Sequence, residues 1–211
     1  MNNIDLYKYE KELWNNNISY IAGVDEVGRG PLIGPVVTAC VILPKDFYLE
    51  GLTDSKKLTE KKRDIYYDYI MGHALAVSVG MMDEKVIDKV NIYEATKLAM
   101  YQAIETCPIK PEHVLIDAMK LEKLEMPSTS IIKGDAKSVS IAAASVIAKV
   151  TRDRMMIELD KKYPEYGFKS HKGYPTKKHV EAILKYGLID GYRKTFKPVS
   201  EIVKENVVKN K

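Results

Sequence analysis

The alternation of apolar and polar segments divides the chain into strands and helices. Short apolar runs that end at Gly, Pro or Asp predict strands, whereas longer segments with apolar residues at helical spacing predict helices. The predicted strands cover residues 20–24, 36–43, 74–82, 114–116 and 130–132, and the predicted helices cover residues 5–14, 59–71, 92–106, 136–163 and 176–186. A basic tail follows the last predicted helix.

The order of these elements predicts one α/β domain with a mixed sheet covered by helices. Segment 136–163 is the clearest helix because it contains neither Gly nor Pro, and Pro164 ends it. Its many alanines allow the helix to pack closely against a sheet. We find no internal repeat and no low-complexity linker, so the prediction is a single domain over residues 1–211.

The composition excludes several classes of protein. With 211 residues, 45% of them hydrophobic and 29% charged, the chain has the balance of an ordinary globular protein, not of a disordered or collagen-like one. No run reaches the ~18 apolar residues that a membrane helix requires, and the N-terminus is polar where a signal peptide would be basic and then apolar. Because Cys40 and Cys107 form no C-x-x-C motif, we expect a cytoplasmic protein without a disulfide framework.

Charge is distributed unevenly along the chain, although the net charge is only +4. Residues 161–211 contain 13 basic and 5 acidic residues, a net charge of +8, so the other 160 residues carry a net charge of −4. An acidic body with a basic C-terminal quarter suits an enzyme that gathers carboxylates at one place and binds a polyanion at another. A lysine-rich solvated tail explains the same distribution equally well.

Three acidic sites share one context, since each follows an apolar, strand-like run. They are Asp25-Glu26, Asp117 and Asp135. Ligand sites in open α/β sheets lie at the ends of strands, and carboxylates brought together there repel one another unless cations bind them. Oxygen ligands without His or Cys favour Mg²⁺ or Mn²⁺, and two such ions suit displacement at phosphorus. Each acid alone is better explained as a turn residue or a helix cap, but the three together favour a metal site.

Two of these assignments involve a choice between residues. Asp153 competes with Asp135, but it lies 18 residues further along the same predicted helix segment, roughly 27 Å away. Its neighbours Arg152 and Arg154 predict a local salt bridge instead. For the adjacent pair, neighbours on a regular strand point to opposite faces, so Asp25 and Glu26 reach one site only if the strand ends or bulges there. Otherwise we expect Glu26 to be structural.

The segment Gly28-Arg29-Gly30-Pro31 has the glycines of a dinucleotide-binding motif but not its context. That motif opens a helix, whereas here Pro31, Pro35 and a buried strand follow. Glycine also allows the backbone to approach a ligand closely, so N–H and C=O groups here are candidates for contact with a hydroxyl. An ordinary loop remains the alternative.

Taken together, these motifs resemble the ribonuclease HII family, the type 2 ribonucleases H of bacteria. The resemblance covers most of the chain, from about residue 21 to residue 194, in an ordered series that is far more specific than any single motif. The segments that carry it are Gly23-Val24-Asp25-Glu26-Val27-Gly28-Arg29-Gly30-Pro31, Gly34-Pro35-Val36-Val37, Asp54-Ser55-Lys56-Lys57-Leu58, Ile116-Asp117, Lys133-Gly134-Asp135, Ser140-Ile141-Ala142-Ala143-Ala144-Ser145, Ala148-Lys149-Val150-Thr151-Arg152-Asp153 and His171-Lys172-Gly173-Tyr174.

The resemblance implies a ribonuclease H-like fold with a five-stranded mixed sheet and flanking helices, and a basic, helical C-terminal region, residues 161–211, packed on it. It implies hydrolysis of the phosphodiester 5′ to a ribonucleotide, in RNA/DNA hybrids and at single ribonucleotides in duplex DNA, leaving a 3′-hydroxyl and a 5′-phosphate. The expected protein is a monomer without membrane contact.

The resemblance also implies roles for individual residues. Two Mg²⁺ or Mn²⁺ ions would be held by Asp25, Glu26, Asp117 and Asp135. The family's Gly-Arg-Gly loop, which contacts the 2′-hydroxyl, corresponds to Gly28, Arg29 and Gly30, and its substrate-sensing tyrosine corresponds to Tyr174. An aromatic side chain among basic residues suits a sugar or base next to phosphate. Lys56 and Lys57 are candidates for phosphate contacts, with solvated surface charge as the alternative.

Three alternatives stay open at this stage. A ribonuclease HIII would use the same chemistry, but Arg29 and the short segment before the first strand argue against it. A metal-dependent phosphatase would not need the basic C-terminal quarter. A nucleic-acid-binding module would have purely structural acids.

Overall fold

The computed structural model describes residues 5–209, apart from the side chains of Lys57 and residues 205–209. A five-stranded mixed sheet with strand order β3-β2-β1-β4-β5 forms its centre. β1–β2 and β2–β3 pair antiparallel, whereas β1–β4 and β4–β5 pair parallel. The strands are β1 Ile21–Val27, β2 Val36–Ile42, β3 Ala76–Met82, β4 His113–Asp117 and β5 Ser128–Ile131.

Helices cover both faces of this sheet and form the C-terminal region. They are α1 Lys8–Asn15, α2 Glu60–His73, α3 Glu84–Glu105, α4 Val139–Lys162, α5 Phe168–His171, α6 Lys177–Tyr186 and α7 Val199–Lys209. Among the described helices, four have an N-cap residue whose side chain accepts a hydrogen bond from a backbone N–H of the first turn. The N–H groups of the first turn have no carbonyl partner within the helix, so this bond satisfies one of them. These caps are Thr59, Asp83, Ser138 and Thr176.

Alternation along β2 explains how two helices share the sheet. Ala39 and Val41 pack in a cluster with the alanines of α4, whereas Cys40 and Ile42 pack with Met100 of α3 on the other face. On β1, Gly23 lies so close to α4 that an added Cβ would come 2.0 Å from the carbonyl carbon of Ser140. The small residues therefore set the distance between α4 and the end of the sheet.

The C-terminal region packs against the loop that joins β1 to β2. We call this loop, residues 28–35, the glycine loop. Leu32 and Ile33 of the glycine loop are buried in one cluster with Phe168, Ile183 and Tyr192, and Ile33 forms an isolated antiparallel bridge with Tyr192. The C-terminal region thus supports a loop far away in the sequence.

The structure changes three of the sequence predictions. β1 continues to Val27, so Asp25 and Glu26 lie within a strand instead of after its end. α3 begins at Glu84, eight residues earlier than predicted, and Asn91 interrupts it with a φ of 71°. The predicted basic tail contains α7, which places Val199 in the C-terminal apolar cluster. Over residues 5–209, none of the helices combines the length and apolar character that crossing a membrane requires.

Candidate active site

Strand pairing brings the predicted acidic residues to one end of the sheet. Val24 of β1 pairs with Ile116 of the parallel strand β4, so the next residues, Asp25 and Asp117, lie side by side. Paired positions on neighbouring strands point to the same face, here the face covered by α4. Asp117 is also level with Ile131, the last residue of β5. The third acid follows four residues later.

The turn after β5 directs Asp135 back towards the strand ends. Lys133 adopts a left-handed conformation with a φ of 57°, and Gly134–Ala136 form a single 3-10 turn before α4. The backbone N–H of Gly134 donates to Oδ1 of Asp117 over 2.7 Å. This bond joins the turn directly to the carboxylate at the end of β4.

Asp25, Asp117 and Asp135 bring their carboxylate oxygens close together, and we call these three residues the acidic cluster. One carboxylate oxygen each from Asp25, Asp117 and Asp135 lies within 4.8 Å of the others. Asp25 and Asp135 are buried, and Asp117 is half-buried. Asp25 also accepts a hydrogen bond from the N–H of Glu26, over 2.7 Å. The geometry therefore holds three potential anions close together with few donors around them.

This arrangement disfavours the ionised state of Asp25 and of Asp135. Burial, reinforced by the charges of Glu26 and Asp117, raises the pKa of Asp25 well above its ordinary value. Burial, together with Asp54 and Asp117, raises the pKa of Asp135 to about 6. Desolvation and like charge both oppose ionisation, and a bound cation would remove both penalties. The cluster is therefore electrostatically incomplete without a positive charge.

Glu26 lies beside the cluster but outside the group of three. The strand does not bulge here, since Asp25 pairs with Ala39 and Glu26 with Thr38. Alternation consequently starts the Glu26 side chain on the other face of the sheet. Its Oε1 lies 3.4 Å from Nη1 of Arg29, whereas Oε2 is buried without a hydrogen-bond partner among the described residues. Burial raises the pKa of Glu26, and the charge of Arg29 counteracts this rise.

The donor set fits a hard divalent cation. All of the atoms in the cluster are carboxylate oxygens, and the buried, unpaired Oε2 of Glu26 adds a further acceptor nearby. Oxygen ligands without His or Cys are the preference of Mg²⁺ and Mn²⁺, whereas zinc would favour nitrogen or sulfur ligands. The residues present therefore match the type of metal site predicted from the sequence.

The glycine loop and Tyr174 meet beside this cluster. A Cβ added to Gly30 would come 3.3 Å from Cε1 of Tyr174, so the tyrosine ring covers this glycine. Tyr174 is 38% exposed. Gly28 has a φ of 91°, and a Cβ there would come 2.3 Å from Nε of Arg152. Arg29 is exposed, and its guanidinium reaches back to Glu26.

Comparison with known proteins identifies the family. A family model described as Ribonuclease HII matches residues 22–199. The chain belongs to the ribonuclease HII family. Family membership makes it a metal-dependent endoribonuclease of the ribonuclease H type. The alternatives of a phosphatase and of a non-catalytic binding module are thereby excluded, and the family is HII instead of HIII.

Individual relatives agree with this family assignment. The chain is 59% identical to "Ribonuclease HII" of Bacillus cytotoxicus over 204 residues, which is 97% of this chain and 78% of the relative. Among solved structures, it resembles the ribonuclease H2 of Pyrococcus horikoshii with a TM-score of 0.75 and 30% identity, over 88% of this chain and 97% of the other. It also resembles the ribonuclease HII in the PCNA complex of Archaeoglobus fulgidus, with a TM-score of 0.73 and 27% identity, over 84% and 95% of the two chains. The predicted ribonuclease H-like fold is confirmed.

In this ribonuclease HII chain, one of the two predicted lysines can be located. Partial burial lowers the pKa of Lys56, but the charges of Asp25, Asp54 and Asp135 together outweigh this effect and raise it. Lys56 therefore lies near the acidic cluster and near Tyr174, the substrate-sensing tyrosine predicted from the family. The side chain of Lys57 lies outside the described part of the structure.

Sequence reasoning missed two side chains of the site. The charge of Asp54 contributes to the raised pKa of Asp135. Ser145 of α4, whose hydroxyl lies 2.8 Å from that of Ser55, counteracts the rise in the pKa of Asp25. Both residues lie in family-like motifs, Asp54-Ser55-Lys56 and Ala144-Ser145. For Ser145, a polar residue within a fully buried stretch of α4 was the available signal.

The salt bridge predicted for Asp153 exists, but with different partners. Asp153 binds Lys149 over 2.7 Å on α4 and lies 3.9 Å from Arg63 of α2. Its neighbour Arg154 pairs with Asp64 instead. Arg152 points into the protein interior because consecutive residues on a helix face different directions. Asp153 is thus separate from the acidic cluster, as expected.

Proposed function

We propose that this chain hydrolyses the phosphodiester on the 5′ side of a ribonucleotide, both in RNA/DNA hybrids and at single ribonucleotides in duplex DNA. The products would be a 3′-hydroxyl and a 5′-phosphate. The observation that carries the proposal is the cluster of Asp25, Asp117 and Asp135 beside a glycine loop covered by Tyr174. The proposal is supported by three acids that could hold a metal ion and by a candidate surface for sugar recognition next to them.

The residues that would hold two Mg²⁺ or Mn²⁺ ions are Asp25, Asp117 and Asp135, with Glu26 as the fourth ligand. The buried, unpaired Oε2 of Glu26 supports its inclusion, although it lies outside the group of three. When bound, two such ions supply an activated water and stabilise the leaving 3′ oxygen. The N–H of Gly134 keeps Asp117 oriented.

The glycine loop would distinguish ribonucleotides from deoxyribonucleotides. The 2′-hydroxyl is the group that differs between RNA and DNA, and backbone groups of Gly28, Arg29 and Gly30 are candidates to contact it. A Cβ added to Gly30 would come 3.3 Å from Cε1 of Tyr174, so a side chain at position 30 would compete with the tyrosine ring for the same space. The small size of this residue therefore supports a close approach of the sugar.

The aromatic and basic residues around the site would bind the rest of the duplex. The exposed face of Tyr174 suits stacking on a sugar or base. Lys56, close to both the acids and Tyr174, suits a phosphate on either side of the cleaved bond. We assign the same role to Lys57 from its position in the sequence. The single catalytic domain, the monomeric state and the cytoplasmic location remain predictions.

The test uses a DNA duplex that carries one ribonucleotide, incubated with the purified protein and Mg²⁺ or Mn²⁺. An all-DNA duplex, a long RNA/DNA hybrid and a chelator serve as controls. We expect one metal-dependent cut on the 5′ side of the ribonucleotide, and no cut in the all-DNA duplex. A product with a 3′-phosphate, or equal cleavage of the all-DNA duplex, would contradict the proposal.

A further inference from the structure

Two arginines are buried without an acidic partner next to the glycine loop. Arg152 of α4 and Arg193, which lies between α6 and α7, both have 0% exposed surface. Within the described part of the chain, neither forms a salt bridge with a carboxylate. Burial of a charge without a counter-charge is costly unless hydrogen bonds compensate for the lost water. The compensating acceptors therefore indicate what these side chains do.

Backbone carbonyls of the glycine loop surround Arg193. Its Nε donates to the carbonyl of Gly34 over 3.0 Å, and its Nη1 donates to that of Arg29 over 3.0 Å. Its Nη2 donates to the carbonyls of Gly28 over 2.6 Å and Gly34 over 2.8 Å. One planar guanidinium thus connects both ends of the glycine loop. The backbone N–H of Arg193 also donates to the carbonyl of Leu32.

Arg152 joins the same loop to the segment that carries Tyr174. Its Nε donates to the carbonyl of Pro35 over 3.1 Å, and its Nη2 to that of Ile33 over 3.1 Å. Its Nη1 donates to the carbonyl of Lys172, two residues before Tyr174, over 3.0 Å. The two arginines, which we call the arginine pair, together occupy five carbonyls of the glycine loop.

The position of these carbonyls fixes the direction of the neighbouring N–H groups. In a planar trans peptide, the C=O of one residue and the N–H of the next point in opposite directions. The carbonyls of Gly28 and Arg29 point inwards to Arg193, so the N–H groups of Arg29 and Gly30 point away from it. Arg29 and Gly30 are exposed, and their N–H groups have no acceptor among residues 5–209. These two donors are therefore presented to a ligand on the surface beside the acidic cluster.

We infer that Arg193, assisted by Arg152, is a positioning residue that turns the N–H groups of Arg29 and Gly30 towards the ribonucleotide. The inference rests on the proposed function, since the ligand of these donors would be the sugar at the cleaved bond. It also assigns a role to the C-terminal region: this region supplies the side chain that shapes the glycine loop. Arg193 itself is fully buried, and its guanidinium donates to carbonyls of the glycine loop.

A lysine cannot reproduce the contacts of Arg193. The guanidinium distributes its donors over a rigid fork, whereas an ammonium concentrates them on one nitrogen. Burial and the charge of Arg152 lower the pKa of Arg193 to about 9, so the side chain stays charged at neutral pH. Arg193→Lys therefore keeps the charge but loses the geometry, and Arg193→Met loses both.

The experiment compares Arg193→Met and Arg193→Lys with the wild type and with Arg154→Met. Arg154 is a matched control because it lies on the surface of α4 and pairs with Asp64. Cleavage of the one-ribonucleotide duplex gives kcat and KM. Backbone hydrogen exchange is followed at Leu32 and Gly34, whose N–H groups donate to Gly173 and Gly191. Exchange in β2 reports any global loss of stability.

We expect Arg193→Met to lower kcat at least tenfold while KM changes less than threefold, and to accelerate exchange at Leu32 and Gly34 more than in β2. Arg193→Lys should fall between this variant and the wild type, and Arg154→Met should match the wild type. Wild-type kcat and unchanged loop exchange in a folded Arg193→Met or Arg193→Lys variant would overturn the inference. If the wild type itself does not cut, the proposed function fails, but the exchange data still decide whether Arg193 positions the loop.

Discussion

The acidic cluster and the arginine pair solve the problem of concentrated like charge in opposite ways. In the acidic cluster, three carboxylates lie within 4.8 Å with few donors around them, and the pKa of Asp25 and Asp135 is raised. In the arginine pair, every charged group donates to backbone carbonyls of the protein itself. The comparison indicates that buried charges with few hydrogen-bond or ionic partners mark a candidate binding site. Buried charges that the protein's own carbonyls surround instead hold the loop next to that site in place.

The largest effect should come from removing one charge of the acidic cluster. Asp25→Asn or Asp117→Asn keeps the shape of the side chain but removes a metal ligand, so cleavage should fall by roughly 10³-fold or more. Hybrid binding and the fold should persist, because Asn fits the same space. Initial rates and filter binding measure the two properties. Substantial cleavage by either variant would contradict the role of the acidic cluster, and Asp64→Asn on the surface of α2 is the matched control.

A side chain at Gly28 should lower the stability of the folded protein. Gly28 has a φ of 91°, and a Cβ would come 2.3 Å from Nε of Arg152, which is held by three carbonyls. We expect Gly28→Ala to lower the free energy of unfolding by about 2–4 kcal/mol. Denaturant titration measures this change.

Gly72→Ala serves as the control for Gly28→Ala. Gly72 lies in α2 with nothing within 4 Å of an added Cβ. Since alanine favours helix more than glycine does, this variant should be neutral or more stable by up to about 1 kcal/mol. If Gly28→Ala and Gly72→Ala were equally stable, a Cβ at position 28 would not strain the glycine loop.

A smaller effect is expected at Tyr174, where the two regions meet. Tyr174→Ala removes the ring that covers Gly30, so cleavage at a single ribonucleotide should slow about tenfold, by loss of an aromatic contact of 1–3 kcal/mol. Duplex affinity should change less than the rate, because phosphate contacts dominate binding. Tyr174→Phe keeps the ring and should retain most of the rate. Unchanged turnover of Tyr174→Ala would refute the assignment.

The smallest effect concerns the stability of the metal-free protein. The raised pKa of Asp135, about 6, means that the folded state binds a proton more tightly than the unfolded chain. The ionised carboxylate of Asp135 therefore destabilises the folded state to its full extent above about pH 6. This destabilisation disappears as the pH falls below the ordinary pKa of an aspartate, because the group is then protonated in both the folded and the unfolded state. After allowance for solvent screening, Asp135→Asn should stabilise the metal-free protein by about 1 kcal/mol at pH 7.

Thermal unfolding in a chelator, at pH 7 and at pH 4, measures this effect of Asp135→Asn. The stabilisation should be present at pH 7 and shrink at pH 4. Added Mg²⁺ or Mn²⁺ should stabilise the wild type more than the variant. A variant that is less stable than the wild type at pH 7 in the chelator would contradict the electrostatic account of the acidic cluster.

The acidic cluster was predictable from the sequence because its parts are local. Each aspartate follows a short apolar run, and parallel strands bring such positions together at one sheet edge. The position of Glu26 was not predictable in this way. Its side chain starts on the other face of the sheet because β1 continues as a regular strand to Val27, which the sequence did not show. Asp54 and Ser145 were missed because their loop and helix approach the strands from distant parts of the chain.

The sequence by itself determined the strands, most helices, the family and the acids that meet at the end of the sheet. These properties depend on hydrophobic periodicity and on short motifs, which are local patterns of the amino-acid sequence. Only the tertiary structure decided the partners of Arg152, Arg154 and Asp153, because adjacent residues on a helix point in different directions. Likewise, Arg193 is one of 33 basic residues in the sequence, and its burial against carbonyls 159–165 positions away exists only in the folded chain.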